Sequence, residues 1–229
     1  MSSENDKGLE TIFNPSDACE KDRLGAKEIK ALFKQLKNSG TCADSQFDQI
    51  FPKSYQRLSE IQWTSVSVAG KAAALATQGQ SRRVLDVGSG VGKFCIVGAL
   101  TTKGFFTGVE QRSQLCDVAI RAACEFQIPR INFIHGNMTE IDWDIYDSYY
   151  LFNPFAEHLD GAIRIDGGII FSPFIFFEYT KFVCEKLQSL EPGKTVVIFN
   201  GFGADFPEGF ERFYKDDFNF MKLEAWKKL

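Results

Sequence analysis

The sequence predicts an α/β protein: a three-layer sandwich with a mostly parallel sheet, preceded by a helical N-terminal extension. Three observations lead there. Val84-Leu85-Asp86-Val87 is too continuously apolar for a half-wetted strand, so it reads as a parallel strand covered on both faces. Gly88-Ser89-Gly90-Val91-Gly92 then turns the chain sharply into a helix, with glycines at alternate positions where backbone must bend and a ligand can come close. Beyond that turn, strands and helices alternate over short connections, the pattern of a sheet wrapped on both faces by right-handed crossovers.

Composition bounds the rest. At 229 residues and 44% apolar content the chain suffices for one sizeable core and a short extension. A net charge of −4 disfavours a surface built for nucleic-acid phosphates. No stretch reaches the roughly eighteen apolar residues of a membrane span, and the polar start Met1-Ser2-Ser3-Glu4-Asn5-Asp6 lacks a secretory apolar region. A soluble cytoplasmic protein is expected. The six cysteines form no C-x-x-C pair and no grouping with histidine, which points to reduced packing residues and no metal.

In chain order, residues 1 to about 18 are polar and aperiodic and read as a lead-in. A helix is expected from Asp22 to Lys37, with Ile29, Leu32, Phe33 and Leu36 on one stripe and Lys27, Lys30, Lys34 and Lys37 on a solvated neighbouring one. Asn38-Ser39-Gly40 stops it, and a loop leads to Trp63. Thr64 or Ser65 caps an alanine-rich helix running to Thr77. After the strand at 84–87 come a helix from Val91 to Thr101, a strand at 105–110 and a helix from Arg112 to Gln127. A strand at 131–135 and one from Tyr146 to Phe152 follow. A helix from Ser172, with Pro173 in its first turn, runs to Leu190 and precedes a strand at 194–200. Gly209 to Tyr214 and Met221 to Lys227 alternate around a polar turn at Asp216-Asp217 and read as an antiparallel pair.

A dinucleotide fingerprint would need a glycine where Lys93 stands. The Asp-x-Gly-x-Gly-x-Gly run from Asp86, followed eighteen residues after Gly92 by Glu110 at the end of the next strand, instead resembles motif I and the ribose-binding acid of the class I S-adenosylmethionine-dependent methyltransferases. The resemblance covers roughly residues 61–229 and leaves 1–60 as an N-terminal extension. It implies a seven-stranded sheet of order 3-2-1-4-5-7-6 with the last strand antiparallel.

It also implies roles for particular residues. Asp86 would help hold the methionine part of S-adenosyl-L-methionine, and Gly88, Ser89, Gly90 and Gly92 would supply the close backbone. Glu110, with Gln111 beside it, would take the ribose hydroxyls. Asn137 and the Met138 N–H would recognise adenine, and Trp63-Thr64 resembles a lid across the cofactor. Asn153-Pro154-Phe155 resembles the Asn-Pro-Pro-aromatic motif of amino-group methyltransferases, so the three are the candidate catalytic residues, with Asn153 also touching the cofactor. The product would be S-adenosyl-L-homocysteine, no metal is required, and the acceptor is a protein or small molecule, with nitrogen slightly preferred. A non-catalytic cofactor-binding subunit and, behind it, a nicotinamide-dependent oxidoreductase remain the alternatives. Most aromatics between Phe171 and Phe206 are expected in the core, with a minority lining an acceptor pocket. Oligomeric state stays open.

Overall fold

The computed structural model describes residues 24–218 and 220–229. The lead-in over residues 1–18 and the expected helix start at Asp22 lie outside the described residues. The first described helix, α1 (Ala26–Ser39), buries Ile29, Leu32, Phe33 and Leu36 and leaves its lysine row in solvent. Gly40, at φ +73°, ends it. The segment expected as a loop instead winds into short turns: α2 (Asp44–Phe47), a 3-10 turn at Asp48–Ile50, α3 (Lys53–Gln56) and α4 (Ser59–Gln62). Helices this short show no periodicity of their own. They are fixed by Phe47, Ile50, Phe51, Tyr55 and Leu58, all buried in the same core as α1.

The remaining helices are α5 (Val66–Thr77), α6 (Lys93–Thr101), α7 (Ser113–Glu125) and α8 (Pro173–Ser189). Side-chain caps start two of them: Ser65 Oγ accepts from the Val68 N–H, and Ser172 Oγ from the Phe174 N–H, with Pro173 as the first helical residue. The strands are β1 (Arg83–Val87), β2 (Phe105–Glu110), β3 (Ile131–His135), β4 (Ser148–Phe152), β5 (Thr195–Phe199), β6 (Phe210–Phe218) and β7 (Met221–Lys228). They form one seven-stranded sheet of order β3-β2-β1-β4-β5-β7-β6. β1 to β5 are mutually parallel, and β7 enters antiparallel between β5 and β6.

Alternate residues of each strand feed two cores. Val84, Phe106, Tyr150 and Val197 meet α1, α5, α6 and α7 on one face. Leu85, Val87, Val109, Leu151 and Ile198 meet α8 and the Trp143–Tyr149 pair on the other. The terminal hairpin is longer than expected: β6 passes through Asp216-Asp217 with a bulge between Arg212 and Tyr214, and its last pair is Phe218 with Met221. One charge ties the extension to the sheet. Lys93, at the start of α6, is 2% exposed, and its Nζ lies 2.6 Å from Asp44 Oδ1, 2.7 Å from Asp48 Oδ1 and 2.7 Å from Ser59 Oγ.

Candidate active site

A parallel sheet leaves its ligand crevice beyond the carboxyl ends of its strands, where the strand order reverses, here between β1 and β4. A cavity of about 340 Å³ lies there, within the range of a drug-sized ligand site. It gathers Gly88 and Gly90 after β1, Glu110 and Gln111 after β2, Asn137 and Met138 after β3, and Asn153, Pro154 and Phe155 after β4. Trp63, in the connection between α4 and α5, closes it from the other side. The two principal loops touch: Gly88 has φ +75°, and a Cβ built on it would sit 3.3 Å from Pro154 Cβ. A side chain there would therefore fill the join between the glycine turn and the Asn-Pro-Phe segment.

Glu110 is the cavity's principal acid. One carboxylate oxygen accepts the Gly90 N–H at 3.0 Å and the other the Arg112 N–H at 2.9 Å. Burial pushes its pKa up, while those two N–H groups and the Arg112 charge pull it down. Each oxygen keeps a lone pair, which is what a sugar diol needs. Asn153 holds φ +39°, tolerable for asparagine, and its backbone N–H bonds Gly201 O at 3.1 Å. Its side-chain amide has no partner among the described residues. Trp63 Nε1 is likewise buried without a partner, beside Gly90. Trp63 and Phe152 also line a second cavity of about 650 Å³, bounded by Asp44, Ser67, Phe199, Phe218 and Met221.

Several sequence expectations need correction. Asn137 lines the cavity, but its Oδ1 already accepts from the Thr139 N–H (3.1 Å) and Oγ1 (3.0 Å), and its Nδ2 donates to Tyr179 Oη. An oxygen with both lone pairs engaged is not free to read an adenine amino group. Four more candidates lie behind the cavity surface. Thr64 is 3% exposed and pairs its hydroxyl with Tyr150 Oη at 2.7 Å. Asp86 points from β1 toward α6, where Cys95 Sγ donates to it at 3.4 Å. Burial drives its pKa up to about 7, with the Cys95 bond opposing and Glu110 reinforcing the rise. Ser89 turns its hydroxyl inward without a partner. Gly92, at φ +78°, is the N-cap of α6, so the helix starts at Lys93 instead of Val91. A Cβ on Gly92 would lie 2.3 Å from the Phe133 ring, so this glycine serves packing between the turn and β3.

Other cavity residues were not foreseen. Arg112, Glu157, Ile163 and Ile165 line it, and Gln62 Nε2 donates to Ile163 O at 3.0 Å. Among the aromatics of α8, Tyr179 is the one on the cavity, while Phe174 and Phe177 are exposed and Phe176 is buried. His135 lies outside, with Nε2 3.3 Å from Gln111 O.

No protein-family model and no curated protein matches the chain. Solved structures do. An RNA methyltransferase from Salinibacter ruber, in complex with S-adenosyl-L-homocysteine, aligns with a TM-score of 0.53 at 21% identity, over 72% of this chain and 93% of that one. TrmN from Thermus thermophilus gives 0.54 at 19%, over 72% of this chain and 48% of its own. The [4+2]-cyclase SpnF gives 0.52 at 13%, over 70% and 79%. Strand order, the reversed last strand and these neighbours agree: the chain has the seven-stranded, Rossmann-like fold of the class I S-adenosylmethionine-dependent methyltransferases.

Proposed function

We propose that the protein transfers a methyl group from S-adenosyl-L-methionine to a nitrogen acceptor on a protein or small molecule. The observation that carries this reading is the convergence, in one cavity between β1 and β4, of the Glu110 carboxylate with the unpartnered Asn153 amide. The residues present fit the cofactor in part. Glu110 offers two oxygens to a ribose, Gly88 and Gly90 leave room where a Cβ would close the cradle, and Trp63 Nε1 is a buried donor seeking an acceptor. Adenine recognition falls to the Met138 N–H and the surrounding wall, since Asn137 is engaged.

When bound, the cofactor supplies an electrophilic methyl carbon on a sulfonium sulfur. The chain's own work is alignment. Asn153 Oδ1 can accept an N–H of the incoming amine and turn its lone pair inward, while Pro154 and Phe155 shape the opening. The second cavity, sharing Trp63 and Phe152 with the first, is the acceptor's route. Among the described residues, Arg112 and Arg57 are the lysines or arginines on the two cavity linings, and the ion pairing of Arg112 supports an acceptor without phosphates.

Labelled methyl transfer into fractionated extract tests the proposal. Wild type is expected to label an acceptor, and Asn153→Ala to do so about 100-fold more slowly, with S-adenosyl-L-homocysteine affinity within a few-fold. Thermal shift supplies the control: a ligand at about 100 times its Kd adds about 2.7 kcal/mol of stability. Stabilisation by NAD and not by S-adenosyl-L-homocysteine would replace this reading with an oxidoreductase. One observation favours a second reading, a cofactor-binding protein that transfers no methyl: the same fold houses a [4+2]-cyclase. Binding without any labelled product would support it.

A further inference from the structure

Arg112 stands two residues past Glu110, with a side chain 5% exposed. Its main-chain N–H holds one Glu110 oxygen at 2.9 Å. Its guanidinium reaches the other way, Nη2 to Glu157 Oε2 at 2.7 Å and Nε to Asp166 Oδ1 at 2.9 Å. Both carboxylates also bind their own segment. Glu157 Oε2 accepts the Ile165 N–H at 2.9 Å, and Asp166 Oδ1 the Gly168 N–H at 2.8 Å.

The connection between β4 and α8 contains a single 3-10 turn, Ala156–His158, yet it builds a wall of the cavity through Ala162, Ile163 and Ile165. Among the described residues, no strand or helix ladder holds that wall. A planar guanidinium with fixed donor directions can hold two carboxylates at a set spacing, which a lysine ammonium cannot. We propose that Arg112 is a positioning residue: it fixes Glu110 and the Glu157–Asp166 segment relative to one another, and so sets the width of the cavity and the residence time of a bound nucleoside. This rests on the reading that the cavity binds S-adenosyl-L-methionine. Arg112 acts through Glu110 and the loop.

The probe is S-adenosyl-L-homocysteine, with dissociation followed by stopped flow and stability by thermal melting. Arg112→Gln alone strands two carboxylates, so it lowers stability whatever the role of the residue. The informative variant combines Arg112→Gln with Glu157→Gln and Asp166→Asn, which removes the stranded charges. Its melting temperature is expected to recover toward wild type while dissociation stays at least about tenfold faster. Arg112→Lys, which keeps the charge and loses the fork, is expected to show the same acceleration at near wild-type stability.

A wild-type dissociation rate in the recovered triple variant would overturn the proposal, since Arg112 would then only offset buried charge. If that variant does not fold, a wild-type rate in Arg112→Lys overturns it instead. A wild-type protein that does not bind the probe at all sinks the underlying reading as well, and that result precedes any substitution.

Discussion

The surface of the cavity and the layer just behind it are built from the same short stretches of sequence, yet they do different work. Gly88, Gly90 and Glu110 face the space a ligand would occupy. Thr64, Asp86, Ser89 and Gly92 face the packing that keeps those residues still. The contrast between the two acids is sharpest. Glu110 lies past the last residue of β1 in register and is met by backbone N–H groups, whereas Asp86 lies one pair inside and is met by a thiol. Contact and support cannot be told apart from a motif, because both constrain the same positions. They separate in experiment: surface substitutions change affinity, and supporting ones change stability.

The largest effect belongs to Gly92→Ala. With φ +78° and the Phe133 ring 2.3 Å from the new Cβ, it is expected to cost about 2–4 kcal/mol, a melting temperature about 5–15 °C lower, while the folded fraction keeps its affinity for S-adenosyl-L-homocysteine within a few-fold. Weakened affinity at an unchanged melting temperature would return Gly92 to the ligand surface. Next comes Glu110→Ala. Losing a charged hydrogen bond of about 1.5–3 kcal/mol weakens binding about 10- to 150-fold in calorimetry, and an unchanged Kd would remove Glu110 from the sugar site.

Asp86→Asn sharpens the comparison through pH. A carboxyl whose pKa rises from 3.8 to about 7 on folding holds its proton more tightly in the folded state. Wild-type stability therefore falls as pH climbs through that window and stays reduced above it. The variant is expected to lose that slope and to be more stable at pH 8, by on the order of 1–3 kcal/mol, with nucleoside affinity little changed. A slope that survives the substitution would assign the pH dependence to another group. Smallest is Thr64→Val, which leaves the buried Tyr150 hydroxyl unpaired and is expected to cost about 1 kcal/mol by urea titration, without effect on affinity.

Much of the fold is readable in the chain because its strands are apolar runs punctuated by glycine, and its caps, Ser65 and Ser172 with Pro173, stand where helices begin. Strand order was legible only through the motif resemblance, since period-two patterns do not say which strand lies beside which. The turns between Asp44 and Gln62 were not legible, because their conformation is set by burial against distant helices. Nor was Arg112: its partners Glu157 and Asp166 lie far along the chain, and no local charge pattern joins them. Asn137 shows a different limit. Its residue type suits adenine, but Thr139 and Tyr179 claim its polar atoms.

Lys93 occupies the last glycine position of a dinucleotide fingerprint, and its surroundings bear on where the chain could be trimmed. A fragment opening at residue 61 would retain every strand among the described residues, which makes it the cut the sequence suggests. It would also discard Asp44, Asp48 and Ser59, the groups around that ammonium, and a buried cation stripped of its partners costs about 3–5 kcal/mol. The seam that the sequence offers to the scissors is thus one the folded molecule has sewn shut.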